Sequence, residues 1–387
     1  SDVCSSDLNA ASDSAATKKF GQAKSCILIY KYGSPPQHET FDPKPNAPAE
    51  IQGEMKSIAT AVPGIHCGDH LPKIARIMDR LTVVRSLTHP YPLHGTVYAT
   101  TGIPDVDTKI EAQPRHKRQW PFIGSIVDYL EDRRAAGRVP AIPRNIALPF
   151  VMGSKNEYPP LAGPYGAMLG MRYDPVYTDF SSEGTTLAPE INAGKAFKDP
   201  LLGIRPSDRL QLAGGRTLDA EAIDRFDTRR LLLDQFNASR KTLEHDERIG
   251  AYDSQRQMAH ALLTSGKMHA ALDYTRESQV VREQYGMTLF GQSCLAARRL
   301  VEAGARLVSI DFPCVPGQKA FSWDDHASVW NIFEQMKIRL PVLDQVVSAL
   351  VDDLHARGMA DDVLFVVTGE MSHTPRLSDF QGQPGRE

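Results

Sequence analysis

The chain has 387 residues, a formal net charge of -3 and a sequence pI of about 6.5. Its hydrophobic share of 41% and charged share of 24% are typical of a globular protein with a substantial core. Because basic residues are not in excess, we expect no nucleic acid as a partner. No apolar run approaches the roughly 18 residues that cross a bilayer, so we expect no membrane-spanning segment.

The N-terminal region is predicted to stay outside the folded domain. Residues 1–19 are rich in Ser, Ala and Asp and lack the basic and apolar parts of an export signal. We interpret residues 1–23 as disordered, or as a remnant of cloning or sequence assembly. Residues 24–387 are interpreted as one α/β domain.

Cysteines and basic residues form no recognisable site. The five cysteines are an odd number without a CxxC pair, which argues against a disulfide scaffold and a structural zinc site. Cys314 stands in a Cys-x-Pro sequence like the start of a sulfatase nucleophile motif. Because Gly317 and Gln318 replace the Ser-Arg that should follow, we interpret it as a loop thiol. The basic run at residues 115–118 is interpreted as a solvated loop, with a phosphate-binding patch as the alternative.

Apolar runs and amphipathic stretches alternate along the first half of the chain. Short runs rich in β-branched and aromatic residues predict strands at residues 26–32, 81–87 and 145–151. Asp69 is predicted to cap a helix between the first two strands, and residues 120–136 predict a second helix.

The second half continues this alternation after a region of different composition. Residues 153–217, rich in Gly, Pro, Ser and Asp, predict a long irregular excursion or a lid over the substrate. Gly304 is predicted to end the clearest helix, and strands are predicted at residues 306–312 and 363–368. The alternation predicts an α/β fold with a mostly parallel sheet that helices cover on both faces. The helices predicted in this half lie at residues 218–237, 251–277, 287–303 and 329–357.

Loops after the predicted strands concentrate acidic and imidazole side chains. In a mostly parallel sheet such loops gather along one edge, where ligands bind, so we expect a metal or anion site there. The mixture of carboxylates and imidazoles suits zinc, manganese or iron better than calcium. Taken singly, each can instead be a cap or turn former, as Asp324 would be before the helix that follows. The candidates are His38, Glu39, Asp42, His89, His94, Asp324, Asp325, His326, Glu370 and His373.

Five segments carry a resemblance to a known family. They are residues 41–45 (FDPKP), 282–286 (REQYG), 291–304 (GQSCLAARRLVEAG), 323–326 (WDDH) and 369–370 (GE). In this combination, which is specific, the chain resembles the sulfatase-like family called domain of unknown function 1501. The resemblance extends from about residue 24 to the C-terminus.

The resemblance implies a fold, a reaction and a set of ligands. The family is similar to the alkaline phosphatase and sulfatase superfamily, which implies a three-layer α/β/α sandwich and metal-supported hydrolysis of phosphate or sulfate esters. By that likeness Asp324, His326 and Glu370 would hold one or two divalent ions, with zinc, manganese and calcium as candidates. Such ions polarise the ester oxygen and lower the pKa of the attacking group. Members are often exported, which implies a periplasmic or extracellular protein acting on a small-molecule or polysaccharide ester.

The chain departs from the family's pattern in its last residues. The family usually reads Gly-Glu-Phe-Gly-Arg-Thr-Pro, whereas residues 369–375 read GEMSHTP. A Gly-Arg-Asp-His element is also expected and would begin at Gly385. The resemblance therefore implies a further His ligand after residue 387.

The attacking group is inferred from position alone. Residues 94–102 (HGTVYATTG) stand where sulfatases carry their nucleophile motif, so the resemblance places His94 and Thr96 near the nucleophile turn. A hydroxyl at a helix N-terminus beside a metal ion would be activated as an alkoxide. The alternative is that Thr96 only caps the helix.

Two functions are consistent with these patterns. The first is metal-dependent hydrolysis of phosphate or sulfate esters, with Asp324, His326 and Glu370 as ligands and His94 lining the pocket. The alternative is a non-catalytic protein on the same fold that binds a partner protein or a polysaccharide, which the missing sulfatase Cys favours. The oligomeric state does not follow from the sequence.

Overall fold

A computed structural model gives the arrangement of most of the chain. The described residues are 21–89, 94, 96–104, 107–136, 138–153, 161–181, 185–187, 197–199, 208–212, 258–259, 261–262, 265–312, 323–327 and 331–386. The N-terminal segment up to residue 20, the helix predicted at residues 218–237 and Cys314 lie outside them.

The described strands are numbered in chain order. They are β1 (Ser25–Tyr30), β2 (Ser57–Ala59), β3 (His66–Gly68), β4 (Asn145–Leu148), β5 (Val176–Ser181), β6 (Thr185–Leu187), β7 (Phe197–Asp199), β8 (Arg209–Leu212), β9 (Leu307–Asp311), β10 (Val363–Thr368), β11 (Ser378–Phe380) and β12 (Gln383–Gly385). Six of these strands form one central sheet in the order β10-β1-β9-β4-β5-β8. Neighbouring strands are parallel except β5 and β8, which are antiparallel. Antiparallel pairs form outside this sheet between β2 and β3, β6 and β7, and β11 and β12.

The described helices are numbered in the same way. They are α1 (Ala49–Gln52), α2 (Pro72–Arg76), α3 (Thr96–Thr101), α4 (Ile123–Arg134), α5 (Gly266–Leu272), α6 (Gln279–Tyr285), α7 (Leu289–Ala303) and α8 (Ile332–Ala356). Short 3-10 turns occur at Gln37–Glu39, Met78–Arg80, Thr108–Ile110, Ala167–Leu169, Met171–Tyr173 and Tyr274–Arg276.

The side chains of β1 show how the sheet is covered on both faces. Successive side chains of a strand point to opposite faces. Ile27 and Ile29 pack into a large cluster with α7 and α8, whereas Leu28 and Tyr30 pack into a smaller cluster with Phe122, next to α4. The predicted α/β fold with a mostly parallel sheet is therefore confirmed, and its layers are compatible with an α/β/α sandwich.

The boundary between α7 and β9 lies where the sequence predicts it. The Thr288 side chain accepts the Gly291 N–H and caps the helix, while Gly304 ends it with a left-handed φ of 114°. Glycine is favoured there because it has no Cβ to clash. The helix predicted at residues 287–303 and the strand that follows are both confirmed.

The helix α8 begins later than predicted. The Asn331 side chain accepts the N–H groups of Phe333 and Glu334, so Asn331 and not Asp324 caps this helix. Pro341 lies inside the helix. Among the described helices, none is both long enough and apolar enough to cross a membrane.

Two predictions in the first half are wrong. Residues 81–87 form no strand, and Val84 and Leu87 are 58% and 78% exposed. A β-branched run becomes a strand only where a neighbour can pair with it, and local composition does not supply that neighbour. The helix expected to be capped by Asp69 begins at Pro72, because proline is well suited to the first turn of a helix.

Part of the region predicted as an irregular excursion forms sheet. Within residues 153–217, β5 and β8 extend the central sheet beyond β4. The Thr178 hydroxyl lies 3.1 Å from the carbonyl oxygen of Ala147 and 3.0 Å from that of Pro149, so it donates to the end of β4. The short strands are separated by many turn-forming residues, so the composition of this region predicted irregular structure and not strands.

Candidate functional site

The candidate site lies where the loop after β1 meets the loops after β9 and β10. The Gly33 N–H donates to Glu370 Oε1 at 2.7 Å, and the Trp323 N–H donates to the Tyr32 carbonyl at 2.7 Å. Gly33 has a φ of +84°, and a Cβ there would lie 2.1 Å from the backbone nitrogen of Asp324. Only glycine permits both this backbone conformation and this approach.

Four side chains from three loops form an acid–imidazole cluster, defined as His94, Asp324, His326 and Glu370. His94 lies between two carboxylates, with Nδ1 2.9 Å from Glu370 Oε1 and Nε2 3.0 Å from Asp324 Oδ2. His326 Nε2 lies 3.0 Å from the other oxygen of Asp324. The side chains of His94, Asp324 and Glu370 are 14%, 10% and 0% exposed, so water screens the charges poorly. Residues far apart in the sequence thus meet at one edge of the sheet.

The charges of the cluster stabilise one another. Burial alone would lower the pKa of His94, but its hydrogen bonds to Asp324 and Glu370 outweigh burial and raise that pKa to about 9. Burial likewise opposes ionisation of Asp324, but hydrogen bonds from His326 and His94 lower its pKa below the ordinary value. His94 is therefore an imidazolium at neutral pH, with both ring nitrogens donating to carboxylates.

One oxygen of the Glu370 carboxylate is left without a hydrogen bond. Oε1 faces the Gly33 N–H and His94, whereas the buried Oε2 accepts none from the described residues. Burial, and then the negative charge of Glu370, raise the pKa of the nearby Tyr30 phenol well above its usual value. A buried carboxylate oxygen without a partner is costly, so Oε2 marks a position that suits a cation or a donor group.

Aromatic rings hold the two loop histidines in place. The His94 ring stacks on Tyr32, with centroids 4.6 Å apart and planes inclined by 7°. The His89 ring stacks on Tyr98 at 4.8 Å, and its Nε2 lies 2.5 Å from the Glu370 carbonyl oxygen. Of the two histidines predicted in this loop, His94 joins the cluster directly and His89 contacts the backbone beside it.

Thr96, the predicted attacking group, is the first residue of α3 and follows the cluster closely in sequence. Its Oγ1 lies 3.1 Å from the hydroxyl of Tyr30, which donates to it. Thr96 is 2% exposed, so it is almost entirely closed off from solvent in this structure.

The candidates in the loop after β1 bind partners outside the cluster. Glu39 forms a buried ion pair with Arg386 at 2.8 Å, and Asp42 pairs with Lys44 at 2.8 Å. His38 is buried, and burial together with the charge of Arg386 lowers its pKa. The structure therefore does not bring these three candidates to His94.

The remaining two candidates support the loops. His373 Nε2 lies 2.8 Å from the Ser34 carbonyl oxygen. Asp325 accepts from Arg339 at 2.6 Å in a fully buried pair, and the Arg339 guanidinium lies over the Trp323 ring. Asp325 thus fixes the loop that carries Asp324, rather than facing the cluster itself.

Two features of the site were missed in the sequence. Gly33 follows the strand predicted at residues 26–32, and both its N–H and its lack of a Cβ shape the site. Asp311, at the end of β9, accepts the Gly153 N–H at 3.0 Å, and burial raises its pKa to about 7. The sequence does carry a signal for Asp311, because RLVSIDF is an apolar strand with an acidic residue at its end.

Comparison with known proteins places the chain in a family. The model of the family described as protein of unknown function, DUF1501, matches residues 23–387. The chain belongs to the DUF1501 family. No curated protein and no solved structure matches this DUF1501 chain. In the part of it that the structure describes, no group of three or more His, Cys, Asp or Glu side chains is arranged to hold a metal ion.

Proposed function

We propose that this DUF1501 protein is a metal-dependent hydrolase of phosphate or sulfate esters that acts at the acid–imidazole cluster. The observation that carries the proposal is that His94, Asp324, His326 and Glu370 lie in contact at the C-terminal edge of a mostly parallel sheet. Ligands of α/β proteins bind along that edge.

The chemistry of the donors supports a divalent ion. Two carboxylates and two imidazoles are a set that zinc or manganese takes readily, and calcium is possible through the carboxylate oxygens. The buried, unpaired Oε2 of Glu370 offers a lone pair without another use among the described residues. Asp324, His326 and Glu370 would hold the ion, which would polarise the ester oxygen and make the attacking group more acidic.

His94 has two roles in this proposal. In its charged form it closes the space between Asp324 and Glu370, so ion binding requires it to give up hydrogen bonds and lose its proton. Metal binding should therefore release protons and strengthen as the pH rises toward 9. In turnover, the neutral His94 imidazole can take a proton from the attacking group and then donate it to the leaving oxygen.

The attacking group is proposed to be the Thr96 hydroxyl. Tyr30 donates to Thr96 Oγ1, and such a hydrogen bond stabilises negative charge that develops on that oxygen. Because Thr96 is buried, the proposal includes an opening movement around α3. We further propose that the sheet is of the alkaline phosphatase type, as the family resemblance implies.

The proposal is tested by metal analysis combined with turnover. Protein dialysed against zinc, manganese or calcium should retain at least one stoichiometric ion by elemental analysis, and it should hydrolyse an aryl phosphate or an aryl sulfate. Replacing Asp324 and His326 with Ala should remove both the ion and the turnover. Thr96→Val, which preserves shape but lacks the hydroxyl, should keep the ion and lose turnover, whereas Thr96→Ser should retain part of it.

Controls separate this function from a binding role. Asp42→Ala removes a partly exposed acidic residue outside the cluster and should change neither metal content nor rate. Parent protein without a stoichiometric ion and without turnover on either ester would refute the hydrolase proposal. Retained binding of a polysaccharide by the Asp324→Ala, His326→Ala variant would then support the non-catalytic alternative.

A further inference from the structure

A C-terminal hairpin, defined as residues 378–386, closes against the loops of the candidate site. Its strands β11 and β12 pair from Ser378 with Gly385 to Phe380 with Gln383. Arg386 follows directly, and its side chain is fully buried. A guanidinium is seldom buried without several acceptors, because its charge is costly to remove from water.

The Arg386 guanidinium binds three segments of the chain. Its Nε lies 3.1 Å and 3.0 Å from the two oxygens of Glu39, and its Nη2 lies 2.8 Å from Glu39 Oε1. Nη2 also donates to the Ile51 carbonyl at 2.6 Å, and Nη1 donates to the Pro375 carbonyl. One side chain therefore ties the loop after β1, the end of α1 and the loop after β10 together.

Two of these segments, the loops after β1 and β10, lead to the acid–imidazole cluster. Glu39 lies in the same loop as Gly33, whose N–H holds Glu370. In that loop Gln37 donates to the His373 carbonyl at 2.8 Å and accepts the His373 N–H at 3.1 Å, which joins the β1 loop to the β10 loop.

The hairpin also touches the loop that carries Asp324 and His326. Gly385 lies so close to Ala327, the residue after His326, that a Cβ at 385 would be 2.8 Å from the Ala327 Cβ. Ala327 itself is fully buried. Contacts from the hairpin thus reach the loops after β1, β9 and β10.

We propose that Arg386, through its buried pair with Glu39, is a positioning residue that holds the loops of Gly33, His326 and Glu370 in register for ion binding. The part of this inference that concerns the ion rests on the proposed function. Arg386 touches no reacting group, so its effect acts through Glu39 and the loops that it joins.

The test compares Arg386→Ala with Arg298→Ala. Arg298 is also fully buried and bound to carboxylates, but it lies in α7 and pairs with Glu277 and Asp353 away from the site. Hydrogen exchange of metal-free protein is measured at the amides of Gly33 and Trp323, and zinc affinity is measured by calorimetry. Loss of Arg386 should speed exchange at both amides about tenfold or more and weaken zinc binding about 10- to 100-fold. Loss of Arg298 should change neither.

The outcomes are separable. Unchanged exchange at Gly33 and Trp323 in folded Arg386→Ala protein would overturn the inference, whatever the zinc result. If the parent protein binds none of zinc, manganese and calcium and hydrolyses neither ester, the proposed function fails, while the exchange data still decide whether Arg386 positions the loops. Should Arg386→Ala not fold, Arg386→Lys keeps the charge but loses the two-pronged contact with Glu39. Faster exchange in that variant would support the inference, and parent-like exchange would overturn it.

Discussion

At the scale of single residues, the acid–imidazole cluster holds one positive charge between two negative charges. The His94 ring is stacked on Tyr32 and lies between the carboxylates of Asp324 and Glu370. Charge-assisted hydrogen bonds of this kind are stronger than neutral ones, and low exposure leaves them poorly screened. The imidazolium therefore contributes to stability as well as to any chemistry of the site.

This contribution predicts a pH dependence of stability in metal-free protein. The folded-state pKa of His94 is raised from 6.5 to about 9, so its contribution is complete below pH 6.5 and is lost as the pH rises through 9. The full effect corresponds to about 3 kcal/mol in the free energy of unfolding. Urea unfolding between pH 6 and pH 10, compared with His94→Gln, measures it.

The comparison with His94→Gln isolates this residue from other groups. Lys31 and Asp311 also titrate near this range, with pKa values of about 8 and about 7, but both are present in the two proteins. The stability difference between parent and variant should shrink steadily above pH 7. A difference that stays constant from pH 6 to pH 10 would contradict the assignment of the charge to His94.

At the scale of elements, a helix or strand could be predicted where the residues that determine it lie within or beside that element. The limits of α7 were readable because a Thr and a Gly, residues with strong capping preferences, stand at its two ends. Residues 81–87 looked equally clear as a strand by composition, yet they pair with no strand in the structure. A helix satisfies its own backbone, whereas a strand needs a partner that the local sequence does not reveal.

The cap of α7 gives a prediction at this scale. Thr288→Ala removes the side-chain oxygen that accepts the Gly291 N–H and should lower the free energy of unfolding by about 1 kcal/mol. Thr288→Ser keeps that oxygen and serves as the matched control. Equal stability of the Ala and Ser variants in urea titrations would show that the cap is not needed.

At the scale of the whole molecule, strand order predicted where the cluster lies, whereas the family resemblance named its members. Parallel strands imply that the loops after them share an edge, and the loops after β1, β9 and β10 do meet there, although the strand predicted before His94 does not form. Strand order alone does not separate Glu39 and Asp42, which bind Arg386 and Lys44, from Asp324 and Glu370, which bind His94. Except for Lys44 beside Asp42, those partners are distant in sequence, and side-chain direction in loops follows no fixed period.

Assembly of the site depends on a close approach of two loops at Gly33. Gly33→Ala would place a Cβ 2.1 Å from the Asp324 nitrogen at a positive φ, so the loop of Asp324 must move. We expect a loss on the order of 3 kcal/mol in stability, together with loss of zinc binding. Gly358→Ala is the control, because φ there is +68° but nothing lies within 4 Å of the added Cβ. That variant should lose about 1 kcal/mol and keep its affinity for zinc.

The position of β1 in the sheet has a consequence for biosynthesis. β1 is near the start of the described chain, but it pairs on both sides with strands made late, β9 and β10. A nascent polypeptide that has not yet emerged past these strands carries His94 without either carboxylate. The acid–imidazole cluster is thus absent from nascent chains that have not reached β10, and pairing across such a long loop should be slow.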